Sequence, residues 1–338
     1  MSESHELRDI YISFFMFTTD LKLSDSEYTR VIIKHMQELH KLGYTGFELP
    51  IGQSAVKEYP QEIEEYANLR RAMDEEGLEA LHITTNVAAT RTFDPSSPYP
   101  AQRQDALAYL QSRVDITAAL RGNIMMGPLV IPYRAFPIAD TDTHLWSDQL
   151  QDHLAGRYAN AQPILEELGR YAERQSVKLA IEPITHWETP GPNKLSQLIA
   201  FLDGVPNPQV GVVIDSAHEM LDGDGPAIFA TQVHCLAAAG RLHYVQVSPP
   251  DRGAVHMSWL PWQAFFEPIL RVYEGPIAVE IFNAIPAFLD SLHLTRRKFW
   301  IPGEDRPNPK YPDAYTIAGE ALMATRTELQ NIIGTPTA

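Results

Sequence analysis

The fold is decided by VKLAIEPI (177–184), QVGVVID (209–215), LHYVQV (242–247) and PIAVEIF (276–282). These short runs are rich in β-branched and aromatic residues, which favours strands, and stretches with the spacing of amphipathic helices lie between them. Because almost every position in each run is apolar, both faces of the strand need a covering layer. This is typical of a parallel sheet flanked by helices.

Four more runs of the same kind precede them, and helical stretches again alternate with the runs, which lie at 10–17, 46–51, 80–84 and 123–130. Eight strand–helix units predict an α/β fold that closes as a single (β/α)8 TIM barrel over residues 1–338. No G-x-G-x-x-G follows the first run, which disfavours a doubly wound dinucleotide-binding sheet. The long irregular stretches 131–150 and 283–311 both follow predicted strands. We therefore expect them on the catalytic face of the barrel, where loops of this length commonly act as lids.

Charge and composition exclude several classes of protein. The chain has 27 Lys and Arg against 43 Asp and Glu, a formal net charge of −16, so neither nucleic acid nor an anionic membrane is expected as a partner. Its one cysteine, Cys235, excludes an intrachain disulfide and a cysteine-based zinc site. The polar N-terminus and the lack of an apolar run of about 18 residues lead us to expect a cytoplasmic location.

Polar residues interrupt the last four strands near their ends: Glu182, Asp215, Gln246 and Glu280. They are 33, 31 and 34 residues apart, about one strand–helix unit each, so a barrel brings them together. Any one of them alone is as easily explained by a strand that meets solvent. Carboxylates in apolar strands are costly unless paired or metal-bound. Three carboxylates and an amide oxygen suit a hard cation such as Mn²⁺ or Mg²⁺.

A second set of polar residues lies just beyond the strand ends. Glu188 follows Glu182 by six residues, His218 follows Asp215 by three, and Arg252 follows Gln246 by six. In these loops the three would face a bound substrate. The alternative is that His218 caps a helix and that the two charged residues are solvated at the surface.

These motifs resemble those of the sugar isomerase/epimerase superfamily of xylose-isomerase-like barrels, and most closely its D-tagatose/D-psicose-type ketose 3-epimerases. The resemblance covers roughly 10–330 and rests on E-x5-E, D-x2-H, the SPPDRG segment and the glutamate of the last strand. The segment DALAYLQSRVDITAALRGNIMMGPL also matches the third helix and fourth strand of that family.

The resemblance implies a role for each matching position. Glu182, Asp215, Gln246 and Glu280 would hold one divalent ion, Mn²⁺ first, with Mg²⁺ or Co²⁺ as alternatives. Glu182 and Glu280 would also be the catalytic acid/base pair, exchanging a proton on opposite faces of a keto-sugar through an enediolate. The substrate-binding residues implied are Glu188, His218 and Arg252. The epimerases carry a histidine where this chain has Gln246, which leaves the subfamily open.

Three functions therefore compete. The leading one is a metal-dependent sugar epimerase or isomerase. The second is a lyase or dehydratase acting on a keto-inositol or 3-oxo-glycoside, and the third is a metal- or ligand-binding barrel without turnover. The sequence does not indicate a phosphorylated substrate, and family analogy leaves a homo-oligomer open. Weaker candidates for site residues or pocket walls are Glu48, His82, Trp146, His186, His243, His256, Phe299 and Trp300.

Overall fold

The apolar runs form eight parallel strands that close into a barrel in chain order, each strand paired with its neighbours in sequence and the last with the first. This is the predicted (β/α)8 TIM barrel. The computed structural model describes residues 8–52, 58–137, 148–283, 298–303 and 307–334. The strands are β1 (Ile10–Ser13), β2 (Gly46–Pro50), β3 (His82–Asn86), β4 (Ile124–Gly127), β5 (Lys178–Ile181), β6 (Val210–Asp215), β7 (Leu242–Val247) and β8 (Ile277–Val279).

Helices cover the outside of the barrel, and most of them connect one strand to the next. Within the described residues, none of them combines the length and the apolar character needed to cross a membrane. The helices are α1 (Ser26–Leu42), α2 (Tyr59–Glu75), α3 (Pro100–Ala119), α4 (Asp148–Arg174), α5 (Leu195–Leu202), α6 (Ser216–Asp222), α7 (Pro226–Ala238), α8 (Trp262–Leu270) and α9 (Ala314–Gly334).

Two separate groups of buried side chains result from the alternation along the strands. The larger one lies between strands and helices, where residues such as Ile12, Phe47 and Leu179 meet the apolar faces of the helices. The smaller group fills the barrel itself and includes Tyr11 and Tyr244. Because these strands are buried on both sides, they read as continuous apolar runs in the sequence.

The first strand is shorter than its apolar run, which predicts a strand over 10–17. It ends at Ser13, whose hydroxyl accepts the N–H of Phe15 at 3.5 Å and begins a 3₁₀ turn over Phe14–Met16. The irregular stretch predicted over about 131–150 overlaps the first residues of α4, which includes Asp148. That helix continues to Arg174 although Pro163 lies within it.

Candidate active site

The carboxyl ends of the strands carry a set of buried polar side chains. Asp215 is the last residue of β6, and Gln246 is its partner in β7 by register. Glu182 and Glu280 follow β5 and β8 by one residue, and their N–H groups continue the ladder to Gly127 O and Val247 O, each at 2.9 Å. All four side chains are at most 6% exposed. The structure thus brings together the four strand-end residues selected from the sequence.

Asp215 is the most firmly held of the carboxylates. It caps the N-terminus of α6 by accepting the N–H of Ala217 at 2.8 Å. It also accepts the hydroxyl of Ser248 at 2.7 Å and Nη1 of Arg252 at 3.1 Å. Hydrogen bonds of this kind stabilise a buried charge, so the carboxylate of Asp215 has a fixed position at the bottom of the site.

His218 lies one turn along α6, and the backbone sets its orientation. Its Nδ1 accepts the N–H of Thr185 at 3.0 Å, so in the neutral ring the proton belongs on Nε2. Nε2 is 3.4 Å from Glu182 Oε1 and 3.7 Å from Asp215 Oδ2. Burial and Arg252 lower the pKa of His218, but the hydrogen bond with Glu182 and the two carboxylate charges outweigh them and raise it.

Glu182, Asp215 and His218 form the cluster best placed to face a cation. One ligand atom from each lies within 4.8 Å of the others, and all three side chains are buried. The tautomer set by Thr185 makes Nε2 of His218 a hydrogen-bond donor, so the ring faces the carboxylates as a donor rather than as a ligand. The two carboxylates remain as hard oxygen donors.

Arg252 projects into this acidic region from the loop after β7. Its backbone has the left-handed φ of +58°, and the guanidinium lies over the ring of Phe282, 5.3 Å from its centroid. The guanidinium is 3.8 Å from Glu188, 3.6 Å from Glu280 and in contact with Asp215. Burial lowers its pKa, but the surrounding carboxylates raise it above the usual value.

Arg252 also lies 3.0 Å from Nε2 of His218, which would place two donors against each other. A backbone N–H fixes the other ring nitrogen, so the guanidinium is the group that can move.

Glu280 is held more loosely than Asp215. Its nearest donor is Nε2 of Gln246 at 3.3 Å. Burial raises the pKa of Glu280 well above its usual range, and the charges of Asp215 and Glu48 raise it further. A carboxyl group with few fixed partners and a weakened charge is suited to proton transfer.

Gln246 and Glu48 form a hydrogen-bonded pair inside the barrel. Nε2 of Gln246 donates to Glu48 at 2.9 Å, and Asn86 donates to the same carboxyl group at 3.1 Å. Burial raises the pKa of Glu48 to about 7, and Glu182 adds to the shift. The Oε1 atom of Gln246 is buried without a hydrogen-bond partner in the described part of the chain.

That free amide oxygen, together with several buried carboxylates, fits a divalent cation. Buried polar atoms almost always have a partner, and the donors available are the hard oxygens that such ions prefer. Glu48 was only a weak candidate from the sequence, because a single glutamate in an apolar run gives no indication of which side chain it meets.

A cavity of about 210 Å³ opens above these groups. Every predicted substrate-binding residue lines it, and the polar side chains of its wall are Thr19, Asn86, Glu182, Glu188, His218, Arg252 and Glu280. The remaining wall is largely apolar, and it includes Phe15, Pro50, Ile51, Tyr133 and Phe282. A cavity with an apolar wall and a few convergent polar groups is typical of a small-molecule site.

The aromatic residues at the mouth differ from those expected. Phe15 and Phe282 stack with centroids 5.1 Å apart, and both line the cavity. Phe299 instead packs in the core, and Trp300 donates to Tyr311 O at 3.1 Å, so neither is part of the wall. Phe282 follows Glu280 by two residues just beyond β8, and both side chains line the cavity.

The predicted lids are described only in part. Tyr133, at the start of 131–150, lines the cavity. Trp146 and the rest of 138–147 lie outside the described residues, as do 284–297 and 304–306. The lid role of both stretches stays a prediction.

Four histidines that were weaker candidates, all within the described residues, lie away from the cavity. His82 is the first residue of β3 and is exposed at the opposite end of the barrel, so the expectation that it reaches the mouth is wrong. The ring nitrogens of His243 are 3.1 and 3.2 Å from the backbone oxygens of Leu179 and Gly240. His186 pairs with Asp222, and His256 lies 2.9 Å from Glu320.

Comparison with known proteins gives one family match and several related chains. Residues 36–298 match the model of the xylose isomerase-like TIM barrel family. The chain is 67% identical to a crystal structure from Anabaena variabilis ATCC 29413, described as a proposed sugar phosphate isomerase/epimerase. The match covers 97% of this chain and 100% of that one, with a TM-score of 0.92.

Two more distant relatives are named as ketose 3-epimerases. The L-ribulose 3-epimerase of Methylomonas sp. strain DH-1 is 23% identical over 244 residues, 71% of this chain and 74% of that protein. A D-allulose 3-epimerase from Methylomonas sp., solved with D-allulose, has a TM-score of 0.71 at 19% identity. That match covers 96% of this chain and 98% of that one, and it shows the fold.

Proposed function

The chain belongs to the xylose isomerase-like TIM barrel family, and from this we propose that it is a divalent-metal-dependent epimerase of keto-sugars. One observation carries the proposal. Glu182 and Glu280 line the same small cavity from strands β5 and β8, which β6 and β7 separate, so they approach a ligand from different sides. Inversion of a carbon centre by two carboxyl groups needs such an arrangement.

We propose that Glu182, Asp215, Gln246 and Glu280 hold the divalent ion. When bound, the ion would polarise the ketone oxygen and stabilise the negative charge that develops as the adjacent C–H is broken. His218 is proposed as a donor rather than a ligand, because Thr185 fixes its proton on Nε2.

The chain's own groups then orient the sugar and transfer the proton. His218 and Arg252 donate hydrogen bonds to the carbonyl and the neighbouring hydroxyl, and Glu188 accepts from a hydroxyl. One of Glu182 and Glu280 removes the proton from the carbon beside the ketone, and the other returns a proton to the opposite face. The apolar wall around Phe15 and Phe282 limits the access of water to the enediolate.

The names of the relatives support a ketose and the third carbon as the centre that is inverted. The Anabaena protein is described instead with sugar phosphates. Among the described residues that line the cavity, Arg252 and, when protonated, His218 are the cationic side chains, and carboxylates already surround both. This favours a substrate without phosphate. Manganese as the ion, the cytoplasm as the compartment and one domain over residues 1–338 stay predictions from the sequence.

The experiment is incubation of the Mn²⁺-loaded protein with a panel of ketoses and inososes in D₂O, with a chelator-treated sample as control. We expect an epimeric product that carries one deuterium at the inverted carbon. Loss of water from the substrate would favour the lyase. Absence of exchange with every sugar would favour a barrel that binds without turnover.

A further inference from the structure

The amide of Gln246 has two different ends, and the structure orients them. Nε2 donates to Glu48 at 2.9 Å and is 3.3 Å from Glu280, whereas Oε1 has no partner in the described residues. An amide can rotate by 180° and exchange its oxygen for its nitrogen with little change in shape. Whether the oxygen or the NH₂ group faces the site therefore depends on the neighbours of the amide.

Glu48 is the nearer of the two carboxyl groups that distinguish these orientations, since Nε2 lies 2.9 Å from Glu48 and 3.3 Å from Glu280. Its carboxyl group is fully buried in β2. One of its oxygens accepts from Asn86 at 3.1 Å and the other from Gln246, so both oxygens are in use. While Glu48 is ionised, a rotated amide would place its oxygen against the oxygen of Glu48. Such a contact between two acceptors inside a protein is strongly unfavourable.

We propose that Glu48 is a positioning residue that holds the oxygen of Gln246 toward the cation, an inference that rests on the proposed metal-dependent function. Gln246 is the ligand, and Glu48 acts through it. Imidazole ligands are commonly oriented by a carboxylate that accepts their second N–H. Here an amide replaces the ring, and its orientation matters more, because only one of its two ends can bind a metal.

The position of Glu48 also argues against a purely structural role. A buried carboxylate in an apolar barrel costs stability, and an apolar side chain of similar size would fill the space without that cost. Its register partner in β3, Thr84, shows the contrast. Thr84 lies in the same layer of the barrel and is also buried, but within the described residues it makes no hydrogen bond to Gln246 or Glu280.

The test measures the affinity for Mn²⁺ alone by titration calorimetry, and it compares two replacements of Glu48. Glu48→Leu removes the acceptor, and we expect a 10- to 100-fold weaker Kd, as is usual when the partner of a metal ligand is lost. Glu48→Gln removes the charge but keeps an acceptor oxygen, and we expect a change of about threefold or less. Thr84→Val is the matched control and should leave the Kd unchanged. Thermal unfolding of the metal-free variants shows whether each one folds.

A double mutant separates positioning from other effects. Gln246→Ala should weaken Mn²⁺ binding by itself, and Glu48→Leu should add almost nothing in that background, since no amide remains to be oriented. Equal losses from Glu48→Leu and Glu48→Gln, or the same loss with and without Gln246, would show that Glu48 acts by its charge or as a ligand. Either result overturns the inference while leaving the epimerase intact. A wild-type protein that does not bind Mn²⁺ would overturn both.

Discussion

At the scale of single residues, the carboxyl groups of the site differ in how firmly they are held. Asp215 accepts hydrogen bonds from a backbone N–H, a hydroxyl and a guanidinium. Glu280 has one amide donor at 3.3 Å and Arg252 at 3.6 Å. A group that only binds an ion gains from fixed hydrogen bonds, whereas a group that also transfers a proton must be able to change its charge. This difference favours Glu280 over Asp215 as an acid/base.

The first prediction tests whether Glu182 and Glu280 are the groups that transfer the proton. Glu182→Gln and Glu280→Gln keep the shape and an oxygen ligand but remove the proton-transfer group. We expect kcat to fall by about 10² to 10⁴ in each case, as measured by the rate of epimer formation. Since the two groups act on different faces, each variant should still exchange deuterium with D₂O from one face without inverting the centre.

The matched control for this pair is Gln263→Glu on the exposed part of α8, which changes charge in the opposite sense far from the cavity. It should leave kcat unchanged. Full epimerisation by either glutamine variant would contradict a two-base mechanism.

The second prediction concerns a histidine remote from the site. His35 of α1 is buried against Phe17, and its Nδ1 lies 2.8 Å from the hydroxyl of Tyr315. Burial, with a smaller effect from Lys34, lowers the pKa of His35 from 6.5 to about 4. Between these two values the unfolded chain binds a proton that the folded protein does not. The contribution of His35 to the free energy of unfolding is therefore fully present above pH 6.5 and is lost as the pH falls toward 4.

We expect His35→Gln to reduce the loss of unfolding free energy between pH 7 and pH 4.5 by about 2 kcal/mol relative to wild type. Urea denaturation at a series of pH values measures it. His234→Gln, at an exposed position of α7, provides the control for the substitution itself over the same pH series. A wild-type pH dependence in His35→Gln would show that this histidine is not the cause.

At the scale of elements, the sequence predicts the order and type of the strands but places their ends less well. The run 80–84 predicts the third strand two residues too early, since β3 spans His82–Asn86. Apolar side chains continue past a strand end when the following loop is also buried, as Phe14 and Met16 do after β1. An apolar run in the sequence indicates which residues are buried. Where the strand ends depends instead on hydrogen bonding to the neighbouring strand.

For the site, too, the sequence predicts what a local pattern marks and misses what only the closed barrel brings together. Glu182, Asp215, Gln246 and Glu280 could be selected because a repeated spacing places them at successive strand ends. Glu48 belongs to no such series, and its contact with Gln246 spans 198 positions of sequence. Residue pairs that meet only when the barrel closes give no local pattern in the sequence.

The third prediction concerns the end of β4. Gly127 has a φ of +130°, and a Cβ built on it would lie 2.3 Å from the backbone oxygen of Val87. Its own carbonyl accepts the N–H of Glu182 at 2.9 Å. We expect Gly127→Ala to lower the free energy of unfolding by about 2–4 kcal/mol. It should also weaken Mn²⁺ binding, because the backbone that carries Glu182 must shift.

Gly77 provides the comparison. It has a φ of +76° but nothing within 4 Å of a built Cβ, so Gly77→Ala measures the backbone strain alone, about 1 kcal/mol. Chemical denaturation and Mn²⁺ titration of both variants separate the two effects. Equal stability losses, or unchanged Mn²⁺ affinity in Gly127→Ala, would contradict the close packing beneath Glu182.

At the scale of the whole molecule, closure of the barrel brings the residues of the site together. The polar residues come from β2, β5, β6, β7 and β8, and closure of β8 onto β1 places Glu280 beside the strands that carry the others. The apolar layers around them exclude water, and several like charges then lie close together without solvent to screen them. The folded barrel therefore holds an acidic cluster that a bound cation would stabilise, and the unfolded chain does not.

The fourth prediction follows from that difference. A ligand that binds only the folded state stabilises it by about 2.7 kcal/mol at 100 times its Kd. For 338 residues, an unfolding entropy of about 2.1 cal/mol/K per residue converts this into a rise in Tm of about 4 °C. We expect calorimetry to show this rise when Mn²⁺ is added to the metal-free protein, and a chelator to reverse it.

To test where the ion binds, the rise in Tm caused by Mn²⁺ is compared between variants. Each rise is measured against the same variant without metal, so that differences in metal-free stability cancel. Asp215→Asn removes a charged oxygen donor from the centre of the cluster and should give a much smaller rise at the same Mn²⁺ concentration. Thr84→Val, buried in the same barrel, should give the wild-type rise. If Asp215→Asn also gave it, Mn²⁺ would be binding elsewhere on this acidic protein. The strand-end carboxylates would then lose their assignment as the metal site.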